Sequence, residues 1–594
     1  MDDDAAVHDA GVEHGVVPPT RTKSTRVRLA RGLRWVFWRH LCFGGLAGAL
    51  VVFCLSLTPS LLPRGWVLQG VVSGVTAVIG YGLGSMLSSG IRKVIPREPV
   101  SRVKRIAWWV LLAATVVLIP LFLLLGAQWQ EATRQLMGME LPEFYEWFGL
   151  LVVTLVIASL LLVISRVVRG GTRGLIRLLD RWVPRSAAYI VGVVIATFVV
   201  LGFVQGFLFE GIVSAVNSAY SLSDKGTSPG ITKPTSSLRS GGPGSLVPWD
   251  TLGVKGRDFA GDGWAESKSD LEQFTGGPVK EPIRVYVGLE SADTLEKRVD
   301  LAVRELERTH AFQRKVLVIV TTTGTGWVDA NVSNSIEYMY GGDTAIVAMQ
   351  YSYLPSWISF LVDRTKASDT ANAVITAVTK RWREEPEGSR AKLVVFGESL
   401  GSYGTEHSFK DLNDLTNSVD GALLEGPTFT NPLRNQFTDH RDSGSPAWRP
   451  VYQGGHVVRF EDQPGDFASV PGPWTHPRVA YLQNATDPIS FFSVNLLWKS
   501  PDWLDHPRGP DVSPDIRWIP VVTFWQVLAD LAFSTGVPDG HGHSYGVHAV
   551  DGWVAVAAPP GWTQDDTARL KHVVTRDIDK INHLKEQAAG VTAS

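Results

Sequence analysis

Cysteine is nearly absent from this sequence. Only Cys42 and Cys54 occur in 594 residues, and both fall in the first apolar stretch. From residue 281 onward there is none, which excludes an intramolecular disulfide, a cysteine nucleophile and a cysteine-based metal site from that half. Net charge is nearly absent too: 56 Lys and Arg against 58 Asp and Glu leave −2, without the basic excess that nucleic acid demands. No HExxH pattern occurs, and His541-x-His543 stands without a cysteine, so no metal is expected. What is present in excess is apolar sequence at one end. The first 220 residues are strongly apolar, and the rest has the composition of a soluble domain.

Five apolar stretches are long enough to cross a bilayer, which takes roughly 20 helical residues. They lie near Leu41–Ser60, Trp66–Leu87, Ala107–Gly126, Trp147–Ile164 and Ala187–Phe209. The first is too internal for a cleaved signal peptide. No span carries an acid or base at mid-depth, which argues against a transporter, and Glu210 falls at the outer end of the fifth. Gly80, Gly82, Gly84 and Gly90 cluster near the end of the second span, where small residues let helices approach closely.

Basic residues set the expected orientation. Arg21, Lys23, Arg26, Arg28, Arg31, Arg34 and Arg39 precede the first span. Arg92, Lys93, Arg97, Arg102, Lys104 and Arg105 lie between spans two and three, and Arg166, Arg169, Arg173, Arg177, Arg181 and Arg185 between four and five. The other two loops hold Arg64 alone, and Arg134 amid Glu131, Glu140, Glu143 and Glu146. This pattern predicts a multi-pass cell-membrane protein with a cytoplasmic N-terminus and an extracytoplasmic C-terminal domain.

The expected organisation is a basic segment over 1–40, a transmembrane helical domain over 41–220, a linker and entry loop over 221–280, a globular domain over 281–560 and a helical tail over 561–594. Residues 221–248 are rich in Ser, Gly, Thr and Pro and read as a connector. Lys255–Gly263 reads as a turn-rich loop. From residue 281, short apolar runs alternate with amphipathic ones, the pattern of βαβ units and a mainly parallel sheet. Ile283–Leu289, Lys315–Val320, Thr344–Met349, Lys392–Phe396, Ala422–Leu424 and Val479–Leu482 read as strands. Ser291–Thr309, Ser368–Glu384 and Val521–Phe533 read as helices, with Ser368 or Asp369 able to cap the second.

The strand Lys392–Phe396 runs directly into Gly397-Glu398-Ser399-Leu400-Gly401. In G-x-S-x-G the serine occupies a sharp strand-to-helix turn that projects its hydroxyl above the sheet. A hydroxyl needs a base to remove its proton, and the base needs an acid to orient it. In this arrangement the chain order is Ser, then Asp or Glu, then His. Asp487, after the strand Val479–Leu482 and stiffened by Pro488, is the expected acid, with Glu425 as the fallback. His543 is the expected base. Spacing alone does not separate it from His541 and His548, while His407 and His440 precede the acid. The oxyanion donors are expected from Leu400 N–H and from the loop Thr323, Gly324 and Thr325. The G-x-G in that loop lacks the third glycine of a dinucleotide site.

Together, Gly324–Trp327 (GTGW), Gly397–Ser402 (GESLGS), Asp487-Pro488 and Gly540–Gly546 (GHGHSYG) resemble the bacterial integral-membrane α/β-hydrolase family, over about residues 40–560. The resemblance implies a transmembrane helical bundle of about five spans followed by an α/β-hydrolase domain. It also implies a Ser399, Asp487, His543 triad, and it supplies no substrate. The expected partners are the lipid bilayer and an ester or lipid substrate, and no cofactor is expected. Phe491, Phe492 and the tryptophans Trp448, Trp474, Trp498, Trp503, Trp518 and Trp525 suit core packing, an acyl pocket or a lipid surface. The reaction expected is ester hydrolysis through an acyl-enzyme; acyl transfer to an envelope acceptor and a non-catalytic scaffold or sensor are the alternatives.

Overall fold

The computed structural model describes residues 41–95, 100–140, 146–203, 205–206 and 210–588. The basic segment 1–40, Arg97, Glu143, residues 204 and 207–209 of the fifth expected span and residues 589–594 of the expected tail lie outside the described residues.

Six of the seven strands are the buried apolar runs that the sequence marks. They are β1 (Ile283–Val287), β2 (Val316–Thr321), β3 (Thr344–Met349), β4 (Lys392–Glu398), β5 (Gly421–Glu425) and β7 (Arg478–Leu482). The remaining one, β6 (Val458–Glu461), is four residues long. The sheet has the order β1-β3-β2-β4-β5-β7-β6, and every pairing is parallel. A parallel sheet must be covered on both faces, which explains why β2 and β3 are buried at every position.

Helices α6 (Leu295–Arg308), α8 (Arg364–Arg383) and α9 (Leu400–His407) pack together over one face of the sheet. Helices α7 (Ala330–Met339), α11 (Ala549–Ala557) and α12 (Gln564–Ala588) pack together over the other. Helix α6 starts at Thr294, whose side chain accepts from Lys297 N–H, and buries Leu301, Ala302 and Leu306. Helix α8 begins a turn earlier than its sequence suggests. Asp363 stands at its N-cap, and Ser368 is already helical, bonded to Thr365 O at 3.0 Å.

The connector differs from the open segment that its composition suggests. Ser240 N–H donates to Arg284 O at 3.0 Å and Arg284 N–H to Leu238 O at 3.2 Å, so this stretch runs along β1. The buried Glu305 carboxylate accepts from Ser245 Oγ at 2.7 Å and from the N–H groups of Leu246 and Val247. Polar composition did not prevent packing, because an existing domain supplies the partners. Of Lys255–Gly263, expected as loop, the part up to Ala260 belongs to a helix, Gly253–Ala260, whose Phe259 and Ala260 join the hydrolase core.

Among the described residues of the N-terminal region four helices are long and apolar enough to cross a membrane: α2 (Trp66–Val94), α3 (Ser101–Leu136), α4 (Glu146–Leu179) and α5 (Arg185–Gly202). The first expected span is the correction. Its described helix, α1 (Phe43–Ser56), has 14 residues, or ~21 Å at 1.5 Å per residue, short of a ~30 Å hydrocarbon core. After Ser56 the chain turns at Thr58-Pro59 and is drawn onto the hydrolase domain instead of continuing as helix. Arg166, Arg169, Arg173 and Arg177, expected in a loop, extend α4 as helix.

α1 and α2 touch through backbone. A Cβ on Gly48 would lie 2.3 Å from Gly80 O, and one on Gly84 would lie 2.0 Å from Gly44 O. Gly82 and Gly90 of the same cluster face open space. Gly48→Leu is therefore expected to separate the two helices and lower the thermal unfolding temperature in detergent by several degrees, whereas Gly82→Leu leaves it within about 1 °C. Equal effects at the two positions would contradict this packing.

The two halves meet at the turn after α1. Ser60 Oγ donates to Asp530 Oδ2 at 2.5 Å, and Gln526 Nε2 donates to Thr58 O at 2.8 Å. The acceptor Asp530 and the donor Gln526 both lie on α10 (Val522–Leu531). Leu61 and Leu62 enter an apolar cluster with Trp448, Phe491, Phe492 and Trp503. Four of the aromatics singled out in the sequence are thus core at this junction.

Candidate active site

Strand β4 ends at Glu398, and α9 begins at Leu400. Between them Ser399 has φ 54° and ψ −122°, a conformation that non-glycine residues adopt rarely and at a cost. Gly401 permits it: a Cβ there would lie 2.2 Å from Thr321 O, so α9 presses against the end of β2. Ser399 N–H donates to Glu425 O at 2.9 Å, which ties the turn to β5. Leu400 is the first residue of α9, where an N–H has no partner within its own helix.

Asp487 opens a short helix, Pro488–Phe491, and caps it by accepting from Ile489 N–H at 2.8 Å. Its other oxygen accepts from His543 Nδ1 at 2.7 Å, Tyr545 Oη at 2.8 Å and Ser490 Oγ at 3.3 Å. Asp487 is fully buried and His543 nearly so. The histidine loop is stitched to the turn after β7. Asn484 Nδ2 donates to Gly542 O at 3.0 Å, Gly542 N–H to Thr486 Oγ1 at 3.0 Å, and His543 N–H to Ser534 O at 2.7 Å.

The segment Glu425-Gly426 touches both Ser399 and His543. Glu425 O holds the serine N–H, and a Cβ on the next residue, Gly426, would lie 2.4 Å from His543 Cε1. His543 Nε2 has no hydrogen-bond partner, so no bond yet joins it to the Ser399 hydroxyl. Such contacts commonly tighten only when substrate binds.

The alternatives are occupied elsewhere. His541 Nδ1 pairs with Asp511 Oδ2 at 2.7 Å, a second imidazole–carboxylate pair beside the first. His548 sits under Gly540, where burial lowers its pKa. His407 and His440 are exposed and bonded to Tyr403 O and Gln436 O. Glu425 makes no bond to any imidazole; both of its carboxylate oxygens are buried without a hydrogen-bond partner. Burial, followed by the charges of Glu398, Asp329 and Asp539, pushes its pKa well above the usual carboxylate range.

In the loop after β2, Gly326 N–H turns back to Thr323 O at 2.9 Å, and Thr323 N–H reaches Trp327 O only at 3.4 Å. Gln350 Nε2 holds Thr325 O at 3.2 Å. The start of this loop lies against the first turn of α9, with Thr322 O 3.0 Å from where a Gly401 Cβ would be. Thr321 and Thr322 thus lie against the first turn of α9, and the loop that continues through Thr323 and Gly324 starts from there.

Sequence reasoning missed Tyr545. Its hydroxyl donates to the same Asp487 oxygen as His543, and its only signal was lying two residues after that histidine. Tyr545→Phe removes one donor to a buried carboxylate, worth ~1.5–3 kcal/mol. A fall in kcat of roughly ten- to hundredfold with KM little changed is expected in any turnover that depends on the His543–Asp487 pair. An unchanged kcat would relegate the tyrosine to packing.

A covered seven-stranded parallel sheet with a strained serine elbow after its fourth strand defines an α/β-hydrolase fold. Residues 283–570 match the model of an alpha/beta-hydrolase family, and residues 57–263 match the model of that family's N-terminus. The chain belongs to this family. No curated protein and no solved structure matches it.

Proposed function

We propose that the protein is a membrane-anchored serine hydrolase that cleaves an ester through an acyl-enzyme. Ser399 is the nucleophile, His543 the general base and Asp487 the group that fixes the imidazole tautomer. With Asp487 on Nδ1, the proton sits there and Nε2 is left as the acceptor for the serine proton. The oxyanion is received by Leu400 N–H and the loop Thr323, Gly324 and Thr325. The observation that carries this reading is a serine of positive φ at a strand-to-helix elbow in the same domain as a buried histidine whose Nδ1 is held at 2.7 Å by a carboxylate.

Placement favours a lipid or envelope ester. Trp498 and Phe533 are exposed, and Phe533 lies just beyond α10, which touches α1 and α2. Aromatics at such a level suit a bilayer interface. The basic ends of α2 and α3 and of α4 and α5 lie at the end of the bundle away from α10, which supports an extracytoplasmic hydrolase domain.

A fluorophosphonate probe tests the reading on full-length protein in detergent. Native protein becomes labelled at Ser399 and Ser399→Ala does not. A native protein that stays unlabelled while folded would leave a scaffold with a hydrolase fold.

A further inference from the structure

A cavity of about 320 Å³ opens beside His543. Four carboxylates line it: Asp329, Glu398, Glu425 and Asp539. No lysine or arginine lines it among the described residues. Two of the acids are already employed. Asp329 accepts from Asn331 N–H at 2.9 Å and Asn331 Nδ2 at 3.1 Å, and Asp539 from Ser544 Oγ at 2.7 Å. Glu398 and Glu425 are register partners on β4 and β5. Glu425 is fully buried, and neither of its oxygens has a donor. A buried carboxylate without a donor is unfavourable unless a proton neutralises it or a cation pairs with it, and the described residues supply this one with neither donor nor cation.

We propose that the cavity receives an organic cation, an alkylammonium group carried by the substrate, held by Glu425 and Glu398 against the indole of Trp327. The proposal rests on the reading of Ser399 and His543 and adds the chemical class of what they cleave. No group of three or more acids, histidines or cysteines among the described residues converges on a metal-sized point. A metal needs ligands within ~2.6 Å. An alkylammonium is larger, tolerates longer contacts and gains from an aromatic face. Trp327, 37% exposed at the rim, and Tyr545 supply such faces. Because His543 forms part of the same wall, the charge would sit next to the scissile bond.

Proton linkage agrees with this. Burial, followed by neighbouring acids, pushes Glu398 and Glu425 upward. A bound cation lowers both, so binding releases protons and tightens as pH rises. Among the described residues, Asp329, Asp539, His543 and Tyr545 are the other titratable groups facing the cavity, and α12 contributes Ile578 and Ile581 there.

The test uses full-length protein in detergent at fixed ionic strength. Fluorophosphonate labelling of Ser399 is timed against increasing choline chloride or 3,3-dimethyl-1-butanol, its uncharged isostere. Choline is expected to slow labelling at a concentration ~tenfold or more below the alcohol, a gap that widens with pH. In Glu398→Gln/Glu425→Gln the gap is expected to shrink below ~twofold. Equal protection by the two compounds in native protein would overturn the cation site, and needs no variant to fold. Thermal stabilisation of Ser399→Ala by choline over the alcohol reads the cavity separately. Loss of labelling with that preference intact would sink the nucleophile instead.

Discussion

Ser399→Ala is expected to lower ester hydrolysis by about 10⁴–10⁶-fold, and adding His543→Ala to it should cost almost nothing more. A serine and histidine that act on one proton form a unit, so removing either leaves only binding and oxyanion stabilisation. Ser399 follows the fourth strand and His543 lies near the C-terminal end of the domain, and Glu425-Gly426 touches both. The check is kcat/KM for the two single variants and the double variant on one ester. Near-equal single effects with no further loss in the double support the assignment. Additive losses would mean that the two side chains contribute independently, and His541, paired with Asp511, would become the next candidate.

The second large effect is expected far from the serine. Asp530 lies on α10 with its side chain fully buried. It accepts from Ser60 Oγ and Leu62 N–H, and its Oδ1 lies 3.8 Å from Arg64 Nε, whose side chain is also buried. Burial pushes the Asp530 pKa up to about 6, with Arg64 pulling it down, so the carboxylate is charged at neutral pH. Asp530→Ala strands the guanidinium in a dry junction. Breaking one partner of a buried pair costs ~3–5 kcal/mol, while replacing both by apolar side chains is often neutral. The variant should therefore unfold earlier in denaturant, and Arg64→Met/Asp530→Leu should recover most of the loss. Leu62 also packs beside Gly542, the neighbour of His543. Fluorophosphonate labelling of Ser399 is accordingly expected to fall with stability in the single variant. A single variant as stable as native protein would show that the junction carries no weight.

Much of this was legible in the sequence, for physical reasons. β2 and β3 are fully covered, and β4 is covered between its charged ends Lys392 and Glu398, so each appears as an apolar run with no charge inside it. β6 was illegible because its Arg459 and Glu461 look like surface residues. In the fold Arg459 donates to Gly455, Phe467 and Gly472 carbonyls, and Glu461 accepts from Phe467 N–H. The serine elbow and the Asp487 turn were readable because strand, turn and helix are local events. His543 was not separable from His541 by spacing, since each finds a carboxylate only through tertiary contact, Asp487 for one and Asp511 for the other. The short α1 was hidden for the same reason: apolar composition does not reveal that Thr58 and Ser60 are wanted by α10.

The strip of chain around Leu238–Ser240 has a practical meaning for anyone dissecting the molecule. It satisfies the outer rim of β1, where Arg284 and Tyr286 would otherwise present bare amides. Sheets with such naked borders recruit foreign strands and clump. A fragment begun at residue 281, where the apolar alternation starts, would shed this selvedge and is expected to precipitate. One begun before Ser237 keeps it.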